Sequence, residues 1–283
     1  MNAIIRLTFL EMFKKKIIYI CTAMTIGFLA LYGIALHYVY ESLGEVDVMM
    51  RAVMSSQFLS LGMYVAGFII AFLSVFASVG SISSEIEQGN YLAVLSKPIH
   101  RFEMVLGRWI GIVLMLLLYV TIFFSCIIGL NVIMGKGFTV HFTFLSLIKS
   151  LLMLYLLPLT LSSVGIFFST CMSTVGSGIF LTILYFCGMI GGIIEQVGKV
   201  IEVSNVKEIL TNIGILTSLV MPTDTVYRKA SSLLFTTSSG LNLNLEMALG
   251  GSVEPSNTMI FYIVVYIFIF LFMAIRKFNK RDL

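Results

Sequence analysis

Six long apolar stretches constrain this chain more than any other feature in it: Ile17 to Val39, Phe58 to Val79, Trp109 to Ile133, Phe144 to Phe168, Val175 to Ile194 and Thr258 to Ile275. Each reaches or approaches the ~20 residues that a helix needs to cross ~30 Å of hydrocarbon. Inside a bilayer the backbone must satisfy its own hydrogen bonds, so each stretch is expected to be a helix. The fold class that follows is an all-α polytopic membrane protein with six transmembrane helices. Composition agrees: 59% of the 283 residues are hydrophobic and 11% are charged, against about 25% charged in a soluble domain. The first stretch does not read as a cleavable signal peptide. Its apolar run is too long, a small-residue cleavage site is lacking, and Arg6, Glu11 and Lys14 to Lys16 precede it.

Lysine and arginine set the expected orientation. With the N-terminus in the cytoplasm, Arg6, Lys14 to Lys16, Lys97, Arg101, Arg108, Arg276, Lys277, Lys280 and Arg281 all fall inside, and the short outer loops hold only Arg51 and Lys136. The long segment before the last stretch adds Lys199, Lys207, Arg228 and Lys229 outside, but loops of that length follow the rule poorly. Both termini are therefore expected in the cytoplasm of a multi-pass protein of the cell membrane. The net charge of +4 reflects this orientation, and no basic run is long enough to argue for nucleic acid.

Between the stretches, residues Met1 to Lys16 (1–16) read as an interfacial helix, with Ile5, Leu7, Phe9, Met12 and Phe13 against lipid and Glu11 and Lys15 at a supportive i,i+4 spacing. The other reading makes them an early extension of the first span. The segment Glu195 to Asn257 (195–257) reads as an outer helical segment. Val200, Val203, Val206, Leu210, Ile213, Leu216 and Val220 recur every three or four residues, an amphipathic helix lying on the membrane or dipping back into it. Pro222-Thr223-Asp224 then breaks the chain, and Asp224 is expected to cap a second helix from Thr225 to about Phe235. An alternative makes Gly214 to Met221 part of another crossing.

Chemistry is sparse. The six stretches contain no Asp or Glu, whereas ion-driven transporters keep an ionisable group at mid-membrane. Lys149, five residues into its stretch, lies about 8 Å from the surface, within snorkelling reach, with a substrate contact as the other reading. Gly135-Lys136-Gly137 lacks the earlier glycine and the Ser or Thr of a phosphate loop. Cys21, Cys126, Cys171 and Cys187 form no C-x-x-C pair and read as packing residues. His37, His141 and the outer methionines Met49, Met50 and Met54 do not make a convincing metal site. No triad, paired carboxylates or H-E-x-x-H helix argues for catalysis. The chain is therefore expected to be non-catalytic, with no metal and no cofactor of its own.

The one polar stretch with a helical design of its own runs from Gly80 to Trp109. Ser84 and Glu87 have capping-box spacing, Glu85 and Glu87 suit the positive end of a helix dipole, and Pro98 forces Lys97 out of helical geometry. A helix from about Glu85 to Ser96 is expected. Phe102, Val105, Leu106 and Trp109 follow as an amphipathic lead-in on the bilayer surface. Gly89 costs ~1 kcal/mol in a helix interior relative to Ala, which makes sense if its bare surface admits a partner.

The run from Ile82 through Ser84, Glu85, Glu87, Gly89 and Tyr91, followed by Leu95-Ser96-Lys97-Pro98-Ile99, Arg101 and Leu106-Gly107-Arg108, resembles the cytoplasmic signature of type-2 ABC transporter permeases. The resemblance extends over residues 1–283, read as one permease domain with the cytoplasmic coupling segment at 80–108. Met221-Pro222-Thr223-Asp224-Thr225-Val226-Tyr227-Arg228 is similar to an outer motif of the subgroup that includes copper-enzyme maturation permeases, and marks Pro222, Asp224, Tyr227 and Arg228. The resemblance implies one half of an ATP-driven exporter. A separate cytoplasmic ABC ATPase subunit would bind ATP and Mg, and a second permease copy, by default in a homodimer, would complete the membrane part within the lipid. Ser84, Glu85, Glu87, Gly89, Tyr91, Leu95, Lys97, Pro98 and Arg101 are then the coupling residues that face or shape the ATPase groove. A different class of function also fits: a mechanical transmitter or membrane anchor that acts on an outer partner protein and transports nothing. Ser125, Asn131, Thr160, Ser162 and Ser163 are the scattered polar positions that could line a path or merely join helices.

Overall fold

The computed structural model describes residues 1–42, 48–87, 101–134, 143–200, 204–235 and 255–280. Its regular elements are α1 (Asn2–Lys14), α2 (Lys16–Ser42), α3 (Val48–Ser78), α4 (Ser83–Glu87), α5 (Arg101–Met134), α6 (Phe144–Cys171), α7 (Thr174–Val200), α8 (Ser204–Val220), α9 (Thr223–Phe235) and α10 (Asn257–Asn279). Six of the described helical stretches are long and apolar enough to cross a membrane: α2, α3 running on through α4, α5, α6, α7 and α10. One end of the bundle gathers Lys14 to Lys16, Arg101, Arg108, Arg276 and Lys277, and is called the basic end below.

The sixth helix, α6, is the axis of the bundle, packed by α3, α5, α7, α9 and α10. Its middle is apolar and buried, with Leu154, Leu157 and Leu161 meeting Ile70 of α3, Phe123 of α5 and Ile263 of α10 in one cluster. A second cluster closes the basic end, where Met12 and Ile82 join Leu73, Ile112, Ile166 and Phe278. Gly165 of α6 lies so close to α3 that an added Cβ would collide with the Ser78 hydroxyl, the small-residue contact that lets membrane helices meet at backbone distance.

The chain breaks at Lys15, whose backbone is extended, so α1 is a separate helix and not an extension of the first span. It does not lie wholly on lipid. Thr8 and Met12 are fully buried because Gly107 and Gly111 of α5 open a groove for α1, where an added Cβ would come within 3.0 Å of Ile4 and 2.7 Å of Thr8. Leu7, Leu10 and Phe13 keep an exposed apolar face. The expected contact of Met12 with lipid is thus corrected. The expected surface lead-in is also corrected: α5 runs unbroken from Arg101 to Met134, since nothing between Phe102 and Trp109 interrupts helical hydrogen bonding, and Val105 packs inside.

At the other end α7 continues past Ile194 to Val200, so the fifth span does contain an acidic residue, Glu195. Apolarity falls there while helix propensity does not, which is why the expected boundary came too early. The next helix, α8, folds back along α7, seated on its glycines: a Cβ at Gly188 would lie 2.6 Å from the Met221 carbonyl, one at Gly198 would lie 2.8 Å from Leu210, and one at Gly191 would strike Thr217. Past Met221 the chain bends by 100° into α9. A helix end leaves carbonyls without intrahelical partners. Here Tyr262 and Tyr266 of α10 supply them, their hydroxyls donating to the carbonyls of Leu219 at 2.5 Å and Val220 at 2.7 Å. The α8 helix therefore lies along the outer side of α7 with most of its side chains exposed, and α9 alone enters the bundle and returns towards the start of α10, where Lys229 donates to the Pro255 carbonyl at 3.0 Å.

Candidate functional site

Two arginine-centred clusters stand at opposite ends of the bundle. At the basic end the chain leaves α3 through Gly80, whose φ of +75° a residue with a side chain rarely adopts, and enters the single turn of α4. The expected capping box is not formed. The Ser84 hydroxyl donates to the carbonyl of Gly80, and α4 begins at Ser83, not near Glu85. The Glu87 carboxylate instead accepts from the Thr174 backbone N–H at 2.9 Å and from its hydroxyl at 3.1 Å. It thus caps α7 rather than its own helix, where negative charge suits the positive end of the dipole. The backbone N–H groups of Ile82 and Ser83 donate to Ser169 of α6 at 3.1 and 3.0 Å.

Glu85 pairs with Arg108 of α5, and the same guanidinium reaches Glu11 of α1 at 3.3 Å. Arg108 is 6% exposed, and the two carboxylates offset its desolvation. Lys15 stands 3.8 Å from Glu11. Burial pushes the Lys15 ammonium down from its usual range, while Glu11 pulls it up. Arg101 donates to the Asn279 carbonyl at 3.2 Å, tying α5 to the end of α10. The structure thus brings together Ser84, Glu85 and Glu87 with Glu11, Arg108, Ser169 and Thr174. Gly89, Tyr91, Leu95, Lys97 and Pro98 lie outside the described residues, as does the helix expected over that stretch beyond Glu87. Glu11, Ser169 and Thr174 were missed as members of this cluster. Only the wide-set polar residues at span ends hinted at them, and their pairing depends on how the spans pack.

At the far end the four residues of the outer motif are all buried. Pro222 sits at the bend, and Asp224 falls in the first turn of α9, which starts at Thr223, so it is not the N-cap. Its carboxylate turns to Arg228 one helical turn on, with Arg228 Nε 2.8 Å from Asp224 Oδ2. The contact is an ion pair. Arg228 Nη2 donates to Glu195 of α7 at 2.7 Å. Tyr227 donates to the Ser60 carbonyl of α3 at 3.0 Å and meets Tyr64 edge to face. A cavity of about 20 Å³ lies among Tyr64, Tyr185, Tyr227, Thr223 and Asp224, room for a water molecule that would reach the unpartnered Thr223 hydroxyl. Glu195 is the partner that the sequence placed beyond the fifth span, at the start of the outer helical segment.

The scattered polar positions do not make a path among the described residues. Thr160, Ser162 and Ser163 donate to carbonyls of their own helix at 2.8, 3.2 and 2.8 Å. Asn131 donates to Tyr32 at 3.0 Å and to Ile127 at 2.8 Å. Ser125 is exposed on the outside of α5.

Comparison with known proteins agrees with this architecture. The profile of the ABC-2 family transporter proteins matches residues 2–283. None of the curated proteins searched matches the chain.

Proposed function

The chain belongs to the ABC-2 family of transporter proteins and is an ABC transporter permease, and from that premise we propose that it couples ATP hydrolysis on a separate cytoplasmic ATPase subunit to export of a substrate. In this reading the basic end faces the cytoplasm, as the positive-inside rule favours. A second copy of the chain completes the membrane part, and ATP and Mg are held by the partner.

The observation that carries the reading is the anchoring of α4. This single turn is tied to α5 through Glu85 and Arg108, to α6 through Ser169, to α7 through Glu87 and Thr174, and onward to α1 through Glu11. A push delivered to the residues that follow α4 is therefore applied to the ends of four helices at once. The Glu85 and Glu87 carboxylates already hold Arg108 and Thr174 of the permease itself, so the ATPase contact falls to the residues beyond Glu87, with Gly89, Tyr91, Leu95 and Lys97 the proposed surface. Arg108 is then a transmitting residue.

The test is co-purification in detergent with the ABC ATPase subunit of the same cell, followed by ATPase rates in proteoliposomes. Wild type is expected to co-elute and Gly89→Trp to lose the partner while remaining folded. Arg108→Gln is expected to keep the partner and lose stimulation of its ATPase. Wild-type protein that fails to co-elute would overturn the coupling reading, and a fully stimulated Arg108→Gln would remove the α4 anchor from it.

A further inference from the structure

Away from the basic end, where α6, α9 and the start of α10 come together, an open cleft of about 600 Å³ is lined by Lys149, Leu152, Met153, Lys229, Leu233 and Ile260, with Pro255, Ser256 and Asn257 at its edge. Two opposed chemistries meet in it. Leu152 is 56% exposed although it is a large apolar side chain, and Met153, Leu233 and Ile260 extend the same wall. Against this wall stand two lysines, and no carboxylate is among the described residues that line the cleft.

The lysines differ in what holds them. Lys229 is 7% exposed and donates to the Pro255 carbonyl, so its charge is fixed at the edge of the cleft. Lys149 is exposed and has no ion-pair partner among the described residues. It lies five residues into α6, about 8 Å from the helix start, at a depth where a lysine extends to the headgroup level. The N-terminus of α10 opens onto the same place, and Ser256 pairs with Thr258 at 2.7 Å instead of capping the helix. The positive end of that helix therefore adds to the cationic field.

We propose that this cleft is a binding site for an anionic phospholipid, with the phosphate between Lys149 and the first turn of α10 and an acyl chain along Leu152 and Ile260. A free phosphate would satisfy the charges and leave the apolar wall bare. A zwitterionic lipid would cover the wall and gain little from Lys149 and the positive end of α10.

Thermal unfolding of the detergent-solubilised chain tests this with three soluble probes: dihexanoyl-phosphatidylglycerol, dihexanoyl-phosphatidylcholine and inorganic phosphate. Only the first is expected to raise Tm with saturation. Lys149→Gln is expected to weaken its apparent Kd about fivefold, the worth of one cation near an anionic headgroup. Lys149→Glu should weaken it further, and Lys277→Glu at the basic end should leave it unchanged. An equal response to phosphatidylcholine, a shift reproduced by inorganic phosphate, or a Lys149→Gln variant that binds as wild type would each overturn the proposal. The exposed position of Lys149 keeps these variants from disturbing the fold, and the assay contains no ATPase, so its outcome is separate from that of the coupling test.

Discussion

Arg108 and Arg228 are each held between two carboxylates, yet their surroundings make them different devices. Arg108 draws its partners from two other helices, α1 and α4, and those partners reach water: Glu11 is 37% exposed and Glu85 21%. Arg228 has partners at 11% and 7% exposure, one on its own helix and one on α7. In the first cluster a displaced carboxylate reaches water while buried Arg108 keeps the other one, so the contact can open and close as helices move. In the second, releasing a partner strands a charge in a dry interior. A wet clamp suits a joint that transmits motion, and a dry one suits a joint that must hold while the rest moves.

The largest effect should come from Arg228→Met, which leaves Asp224 and Glu195 facing each other without their cation. A loss of about 3–5 kcal/mol is expected, measured as a fall in Tm and in the monodisperse fraction in detergent. Arg108→Met should lose only about 1 kcal/mol, because Glu11 and Glu85 turn to water. Equal losses at the two sites would break the comparison.

Next in size is Gly192→Val. The added side chain collides with the Asp224 carboxylate and should destabilise by about 1–3 kcal/mol. Gly129, which has nothing within 4 Å of an added Cβ, should accept alanine with no loss. A smaller change is expected for Tyr227→Phe, which removes the bond to the Ser60 carbonyl and should lower stability by about 1 kcal/mol. The smallest effect sharpens the wet-versus-dry distinction directly. Raising salt from about 0.05 to 0.5 M shortens the screening length and should lower the Tm of wild type slightly more than that of Arg108→Gln. A salt response that persists unchanged in that variant would place the screened charges elsewhere.

Much of the molecule was legible in the chain. The six spans, the separate amphipathic start, the break at Pro222 and the polar turn after α3 all follow from local pattern: apolar length, helical period and the loss of an N–H at proline. Legibility failed wherever a side chain chose a partner far away in sequence. Ser84 and Glu87 have capping-box spacing, but Thr174 offers Glu87 two donors at the start of α7. Asp224 has the chemistry of an N-cap, but Arg228 lies one turn on and Glu195 completes the cluster from another helix. The glycines of α7 read as ordinary for a membrane helix until α8 is seen resting on them.

The sequence by itself determined that this is an all-helical membrane protein, how many long apolar helices it has, and which end carries the basic residues. These depend on transfer of short segments into hydrocarbon, which each segment undergoes largely alone. Only the tertiary structure decided that α9 enters the bundle while α8 lies along α7, that tyrosines of α10 satisfy the end of α8, and that Arg108 and Arg228 are each shared between two carboxylates. Those outcomes depend on which helix faces meet, and a buried charge or an open carbonyl selects its partner only after packing has excluded water.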